Sequence, residues 1–481
     1  MMKRPDLTFR HTGLALLAAV FLSGCSTLSA INPFGGVGPD QGNVAGDDRR
    51  ISILELNDTL LPAPDGLAQP VVLPPPYVNT DWPQVGGNTA HVVQHTGASG
   101  PLERVWKRDI GEGSGRKGFV AAPPVIANGV IYVMDSRNRV RAYNEQSGDR
   151  LWQMEIEVTE GERTRTRGLS IIDRVRDPRS FFEGDGTDKN GVGGGLAYDE
   201  GTLYVTSGLG VLLALDPASG AQKWRRAIRV PIHSAPTVAE GRIYAVTDDN
   251  EIMAFDASDN GATLWTYQGI VETARMLTVP APAVDNDVVI APFSSGEIVA
   301  LRTQNGGVLW QDALASSARL TPLAALNDIA FGPVVADGYV IATAQSGVMT
   351  AFDFRTGQRV WTQPAGSIGM PWVAGDVVFT MTTDGKVAAL SKIDGTVKWT
   401  QQLETFRKPE KRKDRIVWSG PVLAGERLVV VSSRGRALII NPYDGSIIGE
   451  RKIGEAVMVP PIIANETVYF LDNKANLIAL R

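Results

Sequence analysis

A motif that returns every 40 or so residues decides what this chain can fold into. The unit is an alternating strand ending in Ala-Leu or Ala-Phe, then Asp/Asn-x-x-x-Gly, then a strand containing Trp. The clearest copies run from Asp216-Pro217-Ala218-Ser219-Gly220 to Trp224 and from Asp353-Phe354-Arg355-Thr356-Gly357 to Trp361. The Ala positions recur at Ala142, Ala214, Ala254, Ala300, Ala351, Ala389 and Ala479, with Ile439 as a degenerate copy between the last two. Trp152, Trp224, Trp265, Trp310, Trp361 and Trp399 close six copies, and Ile448 stands near that place in the seventh. Stretches such as Gly241-Arg242-Ile243-Tyr244-Ala245-Val246 put β-branched and aromatic residues between turn signals. Four short strands in roughly 40 residues make a propeller blade. The expected fold is all-β: an eight-bladed β-propeller of four-stranded antiparallel blades.

The copy at Ala479-Leu480-Arg481 lacks its turn and Trp strand. An orphan strand with a tryptophan, Leu102–Ile110, precedes the first full copy. It is predicted to complete the last blade and close the ring, which removes two exposed strand edges. Trp106 then makes seven tryptophans for eight blades, all read as packing between blades. Glycine is abundant, 51 of 481 residues, as so many tight turns require.

The N-terminus has its own logic. Lys3, Arg4 and Arg10 precede an apolar run, Gly13–Leu22, too short to span a bilayer. It ends Leu22-Ser23-Gly24-Cys25, which resembles the lipobox of bacterial lipoproteins. Residues 1–24 are expected to be a signal peptide and Cys25, the single cysteine of the chain, the lipidated residue. By the same resemblance, Ser26 after it, in place of Asp, implies delivery to the outer membrane. Residues 25–80 read as the lipidated Cys and a tether, with Pro74-Pro75-Pro76 and a Gly-rich stretch as linker chemistry. Within it the alternating Arg49–Leu56 is either a docking arm or a patch of linker. Residues 81–481 are the propeller.

The long inserts all follow a Trp strand and precede the next blade: Glu157–Val192, Gly269–Val279, Ala315–Ala330 and Glu404–Val417. Strand alternation puts every such connection on one face, so the excess chain marks that face for a partner. Glu404–Val417 carries a basic run, Arg407, Lys408, Lys411, Arg412, Lys413 and Arg415. It reads as a solvated loop or as a contact for anionic lipid or an acidic partner.

Chemistry is sparse. One Cys and four His leave little for a disulfide scaffold, a Cys-rich zinc site or an iron–sulfur cluster. No Gly-x-Ser-x-Gly elbow occurs. A net charge of −5 argues against a nucleic-acid binder. No catalytic, metal or cofactor residues are assigned, and the chain is expected not to be an enzyme.

The repeat Ala-x-Asp-x-x-Thr/Ser-Gly-x-x-x-Trp resembles that of the pyrroloquinoline-quinone (PQQ) dehydrogenases, although no Cys lies in the propeller to form their vicinal disulfide. Together with the lipobox and the lead-in Asp81-Trp82-Pro83-Gln84-Val85-Gly86-Gly87-Asn88, it resembles more closely the BamB family of the β-barrel assembly machinery. That resemblance implies a non-enzymatic scaffold lipoprotein on the periplasmic face of the outer membrane. It also implies a monomeric propeller within the Bam hetero-complex, binding the POTRA domains of BamA with no cofactor. The family's BamA contacts would map to Arg275, Met276 and Leu277 in one inter-blade loop, similar in residue type but not in order. In the next loop they would map to Asn327 and Asp328, with Ala330 replacing a second acid. Asp328 reads equally as a capping residue. The alternatives are a PQQ-dependent oxidoreductase-like propeller and a lipoprotein binding cell-envelope polysaccharide.

Overall fold

Eight four-stranded antiparallel sheets are strung along the chain, and seven of them are built from consecutive strands. This computed structural model describes residues 60–64, 69–115, 118–158, 191–271, 280–314 and 328–481. Blade 1 runs Val125–Ala127, Val130–Met134, Arg139–Asn144 and Arg150–Glu155, from the innermost strand to the outermost. Blades 2 to 7 begin at Gly194, Thr237, Ala283, Val334, Trp372 and Trp418. Gly193-Gly194-Gly195 is the entry to blade 2.

Blade 8 takes three strands from Ile462–Ala464, Thr467–Leu471 and Asn476–Leu480. Its outermost strand is Arg104–Asp109, antiparallel to Asn476–Leu480 with Trp106 opposite Ala479. The closing strand therefore lies inside the span expected from the sequence. Glu145 of blade 1 locks the joint. Its buried carboxylate accepts bonds from Asn465 Nδ2 at 2.9 Å and from the Tyr469 hydroxyl at 3.0 Å, both in blade 8. Burial, and then the Glu145 charge, push the Tyr469 hydroxyl pKa upward.

The repeat motif is an inter-blade clasp. In each Trp-bearing blade the tryptophan lies opposite the motif alanine, as in Ala142–Trp152 and Ala389–Trp399. A bulge follows the alanine and re-aims the outer strand. The indole leans onto the Asp-x-x-x-Gly turn of the next blade. A Cβ on Gly148, Gly220, Gly261, Gly306, Gly357, Gly395 or Gly445 would come within 2.5–2.8 Å of the preceding blade's indole, and all seven have positive φ. Six of the indoles also donate to a carbonyl near that turn, such as Trp152 to Pro217 at 2.8 Å and Trp361 to Lys392 at 2.7 Å. The motif aspartate caps the turn. Asp216 accepts from the Ser219 hydroxyl and from the amides of Ser219 and Ala218, which hold its carboxyl below the usual range.

Blade 7 lacks the tryptophan for a structural reason. Its neighbour, blade 8, has no such turn, because its outermost strand arrives from elsewhere in the chain. In blade 7 the pair is inverted, with Ile439 opposite Gly449 in place of alanine opposite tryptophan.

Candidate interaction face and channel

Antiparallel strands fix what each end of the ring carries. One end holds the turns between first and second strands and the Asp-x-x-x-Gly turns. The other holds the turns between second and third strands and every blade-to-blade connection. All four long inserts belong to this second end, here called the insert end.

Of these inserts, 404–417 lies wholly within the described residues. It is a hairpin of Phe406–Lys408 and Lys413–Arg415 joined by a 3-10 turn, Pro409–Lys411. Residues 159–190, 272–279 and 315–327 lie outside the described residues. So therefore do Arg275, Met276, Leu277 and Asn327, and so do Cys25 and Arg49–Leu56. Asp328 is described, and it is buried, with 4% of its surface exposed. Its carbonyl accepts from the Gln345 amide at 2.9 Å in a second-to-third-strand turn of blade 5.

Buried ion pairs and amide contacts stiffen this rim. Burial alone would raise the Asp135 carboxyl pKa; bonds from Arg141 and from the amides of Glu112, Arg139 and Arg137 outweigh it and hold the group below the usual range. His233 faces Asp248 at 2.8 Å between blades 2 and 3. Asn250 of blade 3 reaches both Ile270 and Ser294.

The opposite end is belted by the lead-in, a role that sequence reading missed. Residues 79–96 bond in turn to the inner strand, or the turn after it, of every blade. Asn79 meets Ile463 and Asn465 of blade 8, and Trp82 pairs with Ile126 of blade 1. The Pro83 carbonyl accepts from Tyr198 of blade 2. The Gln84 amide bonds both ways to Val238 of blade 3, at 2.9 and 2.8 Å. Thr89 and Ala90 serve blades 4 and 5 through Val284 and Val335. Gln94 serves blade 6 through Trp372 and Gly375, and Thr96 serves blade 7 through Gly425. Inner strands otherwise leave one edge of N–H and C=O groups unpaired. The signal in the sequence is the amide-bearing spacing Asn79, Gln84, Gln94, since a side-chain amide mimics a strand edge.

Inside the belt a cavity of about 50 Å³ is lined by Trp82, Val85, His91, Val93, Phe331, Met370, Trp372, Pro421 and neighbouring apolar residues. Trp82 and Trp372 stack across it, with ring centroids 6.1 Å apart. His91 Nδ1 donates to the Pro333 carbonyl at 2.7 Å, which leaves Nε2 without a hydrogen and without a partner. Burial lowers the His91 pKa to about 4, against a smaller upward push from the Pro333 bond. That space has room for only a few water-sized molecules, whereas a cavity of about 150 Å³ is needed even for benzene. A tricyclic quinone does not fit it. Among the described residues no group of three or more His, Cys, Asp or Glu is placed to hold a metal ion.

The profile of the family described as "Outer membrane protein assembly factor BamB" matches residues 74–187 and 183–401. The chain belongs to the BamB family. It is 24% identical over 370 residues to BamB of Moranella endobia, covering 76% of this chain and 87% of the relative. It is 25% identical over 348 residues to BamB of Escherichia coli K12, covering 72% and 80%. The crystal structure of BamB from Moraxella catarrhalis superposes with a TM-score of 0.58 at 21% identity, over 79% of this chain and 98% of that one. A europium-containing methanol dehydrogenase gives 0.59 at 15% identity, over 83% and 89%. At those identities the two structures share the fold alone. Family membership makes this an outer membrane protein assembly factor, and the BamB profile begins just before the belt, at residue 74.

Proposed function

We propose that this chain is a non-enzymatic scaffold lipoprotein, anchored through Cys25 to the periplasmic face of the outer membrane. Its insert end engages the POTRA domains of BamA. The observation that carries this reading is the division of labour between the two ends. One carries the belt bonded to the inner strand, or the turn after it, of all eight blades, and the strands that flank every long insert end at the other. Within the inserts, Arg275, Met276 and Leu277 are the proposed contacts, with Asn327 and Asp328 in the neighbouring loop. Asp328 is buried, and its carbonyl accepts from the Gln345 amide, which places it at the base of that loop.

Arg275→Glu is expected to lower recovery of BamA from solubilised envelope at least 10-fold, as reversal of a contact charge does. Unchanged recovery from a folded variant would place the contact elsewhere. The cavity inside the belt is too small for a tricyclic quinone, and the non-enzymatic reading gives a second expectation. Added PQQ and calcium should produce neither saturable binding nor dye-linked turnover, and turnover would return the chain to the oxidoreductases.

A further inference from the structure

We propose that the hairpin at 406–415 is a docking site for anionic phospholipid headgroups, a second membrane contact beside the lipid anchor. Residues 404–417 carry six Lys/Arg against three Asp/Glu, in a chain whose net charge is −5. Every residue from Arg407 to Arg415 is exposed. Part of this charge is used internally: Lys408 pairs with Asp414, Arg412 lies over the Phe406 ring, and Arg415 donates to the Thr383 carbonyl. Arg407, Lys411 and Lys413 have no ion-pair partner among the described residues. The hairpin is also shaped to present them. Pro409 opens the tight turn and Arg412 closes it in the left-handed region, so the backbone of the tip is a defined turn.

Charge together with position makes lipid the occupant we commit to, and an acidic protein the alternative that the test below resolves. Its root packs on one turn of blade 6, Thr382–Gly385. Leu403 N–H bonds to the Gly385 carbonyl at 2.9 Å, and Arg415 reaches the Thr383 carbonyl at 2.7 Å. The next residue, Lys386, donates from Nζ to the Leu60 carbonyl at 3.4 Å, and Leu60 is buried there. Leu60 is the first described residue on the Cys25 side of the chain. Residues 26–59, fully extended, reach at most roughly 120 Å, so a lipid on Cys25 keeps this corner within reach of the bilayer. One apolar anchor plus a basic patch is the two-signal arrangement that holds a peripheral protein on an anionic surface.

The proposal rests on the lipid-anchor reading only for the direction from which the membrane approaches, and the test separates the two. The full mature chain with Cys25→Ala is mixed with extruded phosphatidylcholine–phosphatidylethanolamine vesicles, with or without about one-third phosphatidylglycerol, and floated on a gradient. Binding is expected to the anionic vesicles alone and to disappear in high salt. Arg407→Gln/Lys411→Gln/Lys413→Gln should weaken it about 100-fold, since each cation near an anionic surface contributes about 1 kcal/mol. Equal binding to both vesicles, or a triple variant that floats like its parent, overturns the proposal. So does a triple variant that loses an acidic envelope protein in a pull-down while neither chain floats, because the hairpin then serves a protein. Palmitate labelling of the unsubstituted chain reports on the anchor separately. If label is absent while anionic vesicles still bind, the hairpin assignment stands and the anchor reading falls.

Discussion

Trp106→Ala is expected to destabilise the ring by about 3–5 kcal/mol, the usual loss for a buried indole. Trp106 is 7% exposed, lies 5.9 Å from the Tyr469 ring and donates to the Glu145 carbonyl at 3.1 Å. It is also the indole beneath Gly148, so its removal opens a void at the one joint where the sheet is not continuous in sequence. Glu145→Ala should act on the same joint, stranding the Tyr469 hydroxyl and the Asn465 amide that now point at a carboxylate. Trp224 is the control. It is only partly buried, and its alanine variant should cost less. Urea unfolding followed by fluorescence and circular dichroism ranks the three. A Trp106→Ala midpoint indistinguishable from that of Trp224→Ala would show that the joint carries no special share of stability.

Acid should loosen the belt through His91. An unfolded histidine titrates near 6.5, and the buried ring titrates near 4. Above pH 6.5 neither state is protonated and the group has no effect. Between 6.5 and 4 the unfolded chain takes up a proton that the folded ring refuses, so stability falls as pH falls. Over the full window the loss is about 3 kcal/mol, at 1.36 kcal/mol per unit. His91→Gln removes the titrating group and can still donate to Pro333. The variant should therefore lose stability less steeply than its parent between pH 6.5 and 4, whatever its absolute stability. Parallel pH profiles for the two chains would mean that the ring protonates freely in the fold.

The blades were legible because their spacing follows from a packing device that uses conspicuous residues. A Trp needs a small partner across the strand and a glycine under its ring in the next blade, so Ala, Gly and Trp recur in step. Even the irregular seventh copy was informative. Ile448 seemed a lapse in the pattern, yet the Ile439–Gly449 inversion belongs beside a blade that lacks the receiving turn. The belt was not legible, because its bonds join residues 79–96 to strands up to nearly 390 positions away. Its Trp82-Pro83-Gln84 core could be recognised as a family marker without any view of its partners. The residues beginning at Leu60 make the same point. Their Pro-rich composition suggested tether, yet Leu60 and Val71 are buried against the propeller, which composition cannot foresee. Asp328, which the sequence offers equally as a contact or as a capping residue, is buried, with its carbonyl bonded to the Gln345 amide of a turn that is distant in sequence.

The joint between Arg104–Asp109 and Asn476–Leu480 also sets a clock. A chain made from its N-terminus presents the first of these strands roughly 370 residues before the second exists. At about 5–20 residues per second that interval is tens of seconds. Throughout it a strand with an open hydrogen-bonding edge waits unpaired, beside a belt whose eight docking sites appear one at a time. The finished ring therefore depends on two strands that can meet only after every other blade has been made.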